Sequence, residues 1–147
     1  MEKKWLERTE LLIKEKGLEK LQNANILVIG LGGVGSFAAE FLARAGVGKM
    51  TIVDGDTVDI TNINRQLPAL HSTIGKHKVE VVSERLMDIN PELKLISINA
   101  FLNPENMAEI LDGEKFDYVL DCIDSVTPKI TLIKEKIRSP GGRTVQY

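Results

Sequence analysis

Apolar positions along this chain alternate between two rhythms, unbroken runs of strand length and stripes at helical spacing. Ile26 to Ile29 is an unbroken apolar run, as expected of a central parallel strand covered on both faces. A glycine turn follows, and then a segment that predicts a helix with Phe37, Ala38, Phe41, Leu42 and Ala45 on its inner side, ended by Gly46 and Gly48. Met50 to Val53 is a second strand. Val79, Val82, Leu86 and Ile89 predict a helix from about Gly75 to Ile89, with Val79, Val82 and Leu86 in the core and Asn90 and Pro91 as its stop. Leu93 to Ile98 alternates as a strand, Pro104 to Leu111 predicts a short helix, and Phe116 to Leu120 a fourth strand that runs into Asp121. Thr127 and Pro128 open a last helix to Ile137, and Thr144 to Tyr147 begin a fifth strand. Ahead of all this, Trp5, Leu6, Leu11, Leu12, Ile13, Leu18 and Leu21 stand among Lys and Glu, which predicts an amphipathic helix over residues 5–23, interrupted near Gly17 and packed outside the sheet.

The order βαβαβαβα predicts an α/β fold. Right-handed crossovers give a Rossmann-like three-layer α/β/α arrangement with a mainly parallel sheet in the order 3-2-1-4. Residues 1–147 form one domain, with 1–24 as a helical N-terminal extension. Ligands are expected outside the carboxyl ends of strands one and four, where the strand order reverses. The connection from Gly55 to Ser72 is polar, poor in periodicity and too long for a simple turn, which marks it as a functional loop.

Composition narrows the class. Charged residues make up 27% and hydrophobic residues 43% of the chain, ordinary globular values. No apolar run reaches the length of a membrane span, and the start from Met1 to Trp5 lacks a signal-peptide core, so a cytoplasmic location is expected. One cysteine, Cys122, excludes an internal disulfide and a Cys-rich zinc site. The formal charge of −2 argues against a self-sufficient nucleic-acid binder, so any RNA substrate would be held weakly by this segment alone.

The stretch from Ile26 to Arg65 carries the chemistry. Gly30, Gly32 and Gly35 fit G-x-G-x-x-G between a strand and a helix, with Gly33 inside the turn and Asp54 at the end of the next strand. Such a turn offers close backbone approach and a helix N-terminus to phosphate, while the aspartate suits ribose hydroxyls. This pattern alone does not separate NAD from ATP, and a nicotinamide-dependent oxidoreductase remains open. Asp56, Asn62, Arg65 and Gln66 follow, then Lys78 at the start of a helix, and all five are expected to contact the bound nucleotide; two cations and an amide suit a triphosphate and the charge that builds at its α-phosphorus. Asp124, beyond strand four, suits Mg²⁺ on those phosphates. Plainer roles stand beside these. Arg65 fits a surface ion pair, Lys78 with Lys76 a solvated helix face, and Asp121 and Asp124 a helix cap. Cys122 reads as a small buried residue, and His71 and His77 lack metal-ligand spacing.

From Arg8 to about Ile137 the sequence resembles the ThiF/MoeB/HesA group of adenylating enzymes, relatives of the ubiquitin-activating enzymes. Thr61 to Gln66, Asp88 to Glu92, and Asp121 to Ser125 with Pro128 and Lys129 are most similar to the tRNA threonylcarbamoyladenosine dehydratase branch. The resemblance implies an enzyme that adenylates a carboxylate with ATP and Mg²⁺. In this branch the reaction is the cyclising dehydration of N6-threonylcarbamoyladenosine at position 37 of tRNA. It further implies Gly30, Gly32, Gly33 and Gly35 as the nucleotide turn, Asp54 as ribose ligand, Asn62, Arg65 and Lys78 as phosphate contacts, and Asp124 as the metal-associated aspartate. Arg8, nine residues ahead of Gly17, matches an arginine that reaches the ATP of the other subunit, which implies a homodimer. A sulfur-carrier protein adenylyltransferase, acting on a ubiquitin-like partner, is the second reading within the group. Relatives continue with further strands and a substrate surface, so the resemblance implies a nucleotide half present here and, as a further alternative, a non-catalytic nucleotide-binding fragment.

Overall fold

The computed structural model describes residues 3–124, 130, 132–134 and 143–146. Strands β1 (Asn25–Ile29), β2 (Lys49–Val53), β3 (Lys94–Ile98), β4 (Tyr118–Asp121) and β5 (Arg143–Gln146) alternate with helices α1 (Glu7–Asn23), α2 (Gly35–Arg44), α3 (Lys78–Ile89) and α4 (Pro104–Gly113). All the strand pairs are parallel, and the sheet order is β3-β2-β1-β4-β5. The expected order 3-2-1-4 is present, and β5 extends it beside β4. The helix anticipated from Thr127 to Ile137 falls mostly outside the described residues; residues 132–134 are helical.

Alternation along the strands divides the interior into two layers. On one face Ile26, Val28, Met50 and Ile52 pack against Ala39 and Ala43 of α2 and Val79, Val82 and Leu86 of α3. On the other, Leu27, Ile29, Val53 and Val119 meet Met107 and Leu111 of α4, Phe116 and Leu132. The continuous apolar run of β1 thus has a helix layer on each side, as a central parallel strand requires. Leu6 and Leu18 close over Gly46 and hold the N-terminal segment to the outside of this body.

Three local expectations are corrected. The break in α1 lies at Lys14, whose φ of 63° and ψ of 171° are not helical, rather than at Gly17. The kink folds Ile13 back over Gly17, where a Cβ would stand 2.8 Å from that of Ile13, so the glycine accommodates the bend without being the bend. The inner face of α2 consists of Gly35, Ser36, Ala39, Glu40 and Ala43, while Phe37 and Phe41 point outward. Close approach of the helix to β1 explains the shift in phase: only small side chains fit between them, and the bulky rings turn to the other side. Helix α3 starts at Lys78, because Gly75 takes a φ of +85° that ends the loop before it.

Candidate nucleotide site

A cleft of about 220 Å³ opens beside the glycine turn at the carboxyl ends of β1 and β4. It is lined by Gly30, Gly32, Asp54, Asp56, Gln66, Lys78 and Asp124, all expected from the sequence. The turn is tight for two reasons. Gly30 has φ +92° and its N–H donates to Val53 O at 2.9 Å, fastening the exit of β1 to β2. A Cβ on Gly35 would stand 1.7 Å from Gly30 O, so the helix begins with its backbone against the strand. At the opening of α2, Ser36 N–H donates to Gly32 O at 3.3 Å and Ala38 N–H to Val34 O at 2.9 Å, so the helix starts directly on the turn and its N-terminal dipole faces the cleft, an arrangement suited to an anion.

Asp54 ends β2 with both carboxylate oxygens engaged. Leu31 N–H donates to Oδ2 at 2.7 Å and Asp56 N–H to Oδ1 at 2.8 Å. This fixes the carboxylate across the mouth of the turn while leaving each oxygen a second lone pair for a ribose hydroxyl. Lys78 is buried at the start of α3, with Nζ 3.4 Å from Asp56 Oδ2. Gln66 is also buried, its Oε1 without a hydrogen-bond partner. Its Nε2 and Asp124 Oδ2 approach Gly32 from two sides, 3.6 Å and 4.0 Å from where a Cβ would be. An orphaned amide oxygen buried in a cleft is costly unless a ligand satisfies it.

Arg65 and Asn62 do not line the cleft. The aliphatic stem of Arg65 lies over Gly33, and its Nη1 donates to Asn64 Oδ1 at 2.9 Å and Thr61 O at 3.3 Å. Asn62 Oδ1 accepts from Asp59 N–H at 2.9 Å and closes a capping box on a short 3-10 turn. Within the same box, hydrogen bonds from the Thr61 hydroxyl and amide hold the Asp59 carboxyl below its ordinary range. Gly33 and Gly35 shape the turn without lining the cleft, and Arg8 lies exposed on the first turn of α1, away from it. Sequence reasoning missed Ala100, Phe101 and Leu102, which with Ile29, Val53 and Ile123 give the cleft an apolar wall. Their signal was position, directly after β3 at the carboxyl end of the sheet, where this topology places ligands. Gly55 admits them, since a Cβ there would stand 2.5 Å from Phe101 N.

A family model described as "ThiF family" matches residues 6–137. The chain belongs to the ThiF family. Among family relatives, the tRNA threonylcarbamoyladenosine dehydratase of Bacillus subtilis is 50% identical over 131 residues, covering 89% of this chain and 51% of that one. A molybdopterin-synthase adenylyltransferase from Salmonella typhimurium is 41% identical over 112 residues, 76% of this chain and 44% of its own. The crystal structure of the E. coli dehydratase superposes with a TM-score of 0.92 at 42% identity, over 97% of this chain and 59% of its own, and that enzyme has also been solved in complex with ATP. This ThiF-family chain spans about half the length of the curated relatives it matches.

Proposed function

We propose that the chain is the nucleotide-binding part of an ATP-dependent adenylating enzyme whose acyl substrate is the threonylcarbamoyl group of a modified tRNA adenosine. The observation that carries this reading is the convergence of Lys78, Asp54, Asp124, Gln66 and the glycine turn on one cleft at the point where the strand order reverses. The 50% identity to a dehydratase supports that branch over the sulfur-carrier branch, where the relative above is 41% identical.

In this reading adenine lies against the apolar wall, the ribose hydroxyls on Asp54, and the phosphates between the opening amides of α2 and Lys78. Arg65 and Asn62 reach the phosphates from the adjoining loop by releasing their present partners, Asn64 and Asp59, which lie in that same loop. Among the described residues no group of three or more metal-ligating side chains is assembled. Mg²⁺ does not need one, because one or two carboxylates and the phosphates themselves suffice, and Asp124 on the lining of the cleft provides that chemistry. The ion would neutralise phosphate charge. A substrate carboxylate oxygen attacks the α-phosphorus, the α–β bridge breaks and pyrophosphate leaves. A nitrogen of the same modification then attacks the acyl carbon, closes the ring and expels AMP. The protein's part is to orient the reactants and to meet developing negative charge with fixed donors.

The exposed faces of α1 and α2 support a homodimer. Val34, Phe37 and Phe41 form an outward stripe on α2, with the two rings 6.5 Å apart, and Leu11 and Leu12 are exposed beside Arg8 on α1. A second copy covering these faces would bring Arg8 toward the neighbouring cleft. No helix among the described residues is long and apolar enough to cross a membrane. A cytoplasmic location accords with the tRNA reading. Calorimetry with ATP–Mg and with NAD tests the nucleotide assignment: ATP binding without NAD binding is expected, and the reverse would refute it. ATP–pyrophosphate exchange, driven by modified tRNA or by a ubiquitin-like sulfur carrier, separates the two branches; exchange driven by the carrier alone would exclude the dehydratase reading.

A further inference from the structure

The Lys78 side chain is only 6% exposed, and the carboxylate in direct contact with it is Asp56, whose own side chain is 59% exposed, with Asp59 adding a weaker attraction from farther off. Backbone bonds fix this encounter. Lys78 N–H donates to Asp56 O at 3.1 Å, Val58 N–H to Lys76 O at 2.9 Å and Gly75 N–H to Val58 O at 2.8 Å, with a bridge between Thr57 and His77. The loop leaving β2 is therefore laced to the start of α3. Within it, Asp56 Oδ1 accepts from Thr57 N–H at 3.0 Å, which leaves Oδ2 turned to Lys78. Asp54 is committed differently, to the amides of Leu31 and Asp56.

A desolvated ammonium needs a partner, and a nucleotide polyphosphate in this cleft would offer a stronger one than a half-exposed carboxylate. The same carboxylate then becomes a like-charge neighbour of the phosphates. We infer that Asp56 is a positioning residue that stands in for phosphate: it keeps Lys78 aimed into the empty cleft, yields it to an incoming polyphosphate and takes it back when pyrophosphate leaves. This deepens the ATP reading above and rests on it. It also departs from the sequence expectation that Asp56 binds the nucleotide directly, and the two roles predict opposite signs. A ligand-binding carboxylate weakens binding when neutralised. A stand-in strengthens it, because the unliganded state loses its compensation while the liganded state loses a repulsion.

The test is calorimetric titration of ATP–Mg and of adenosine into the wild-type chain, Asp56→Asn, Asp56→Glu, and both Lys78→Met and the double variant. Asparagine keeps the Oδ1 acceptor for Thr57 and removes only the charge. Asp56→Asn is expected to bind ATP about threefold to tenfold more tightly, as suits one partly exposed ion pair, with adenosine affinity unchanged and Asp56→Glu close to wild type. In the Lys78→Met background the same substitution should have no effect, since the gain passes through that ammonium. Weaker ATP binding by Asp56→Asn, or a gain that persists without Lys78, would overturn the inference and leave the nucleotide assignment standing. A wild-type chain that binds no ATP would overturn both. If Asp56→Asn does not fold, Asp56→Ser carries the same comparison.

Discussion

At the scale of single residues, the site is limited by backbone contact more than by side-chain chemistry. Gly35 leaves no space for even a methyl group, since a Cβ would lie 1.7 Å from Gly30 O and 3.0 Å from Cys122 Cβ. Gly35→Ala must therefore push α2 away from β1 and open the turn. Urea denaturation is expected to show a loss of about 2–4 kcal/mol, comparable to overpacking a core, together with a loss of ATP binding. Gly33→Ala is the control for stability, because a Cβ there meets the stem and the backbone carbonyl of Arg65 no closer than 3.5 Å, an ordinary contact. Wild-type stability in Gly35→Ala would mean that the helix can retreat without cost.

At the scale of elements, α2 and α3 are joined by a charge cluster at their interface. Glu40 lies on the inner side of α2 and receives Arg85 of α3, whose Nη2 is 3.1 Å from Oε1, and Arg44 one turn on, whose Nε is 2.9 Å from Oε1. The hydrogen bond from Arg85 holds the Glu40 carboxyl below its ordinary range, with Arg44 adding to the effect. The folded value is depressed, so the stabilisation is complete above the ordinary value near 4.5 and is lost as pH falls through the lower folded value. Glu40→Gln should cost about 1 kcal/mol at neutral pH, and its acid unfolding curve should be flatter than that of wild type below pH 4.5; parallel acid limbs would contradict this. This cluster also explains what sequence reading could and could not see in α2. The strand runs, the glycine turn and the stripe of Val79, Val82 and Leu86 are legible because each follows a strict period or fixed spacing. The phase of α2 is not, since an apolar helix with phenylalanines on one side and alanines on the other invites burial of the larger rings. What decides it is the distance to β1, a property of the packed pair. The site divides in the same way: Asp54, Lys78 and Asp124 announce themselves by type and position, whereas the Asp56–Lys78 pairing arises from backbone lacing between distant segments.

At the scale of the whole molecule, the outward stripe of Val34, Phe37 and Phe41 is the feature that a solitary copy leaves unsatisfied. Phe41 is 66% exposed, far more than a ring of that size in the middle of a helix ordinarily is. Phe41→Glu is expected to convert a dimer to a monomer in sedimentation velocity with little change in secondary structure; an unchanged sedimentation coefficient would remove this face from the dimer proposal. The order of the sheet has a further consequence, for the timing of folding. Central β1 pairs on one side with β2, close behind it in the chain, and on the other with β4, where Asn25 N–H donates to Asp117 Oδ2 across 92 residues. During synthesis the first half of the sheet can form once β2 has left the ribosome, but β1 then waits with one edge bare until Asp121 emerges. At ordinary elongation rates that interval is about 3–13 s, long on the scale of strand pairing, and for its duration the most apolar strand of the molecule is open to any other nascent chain nearby.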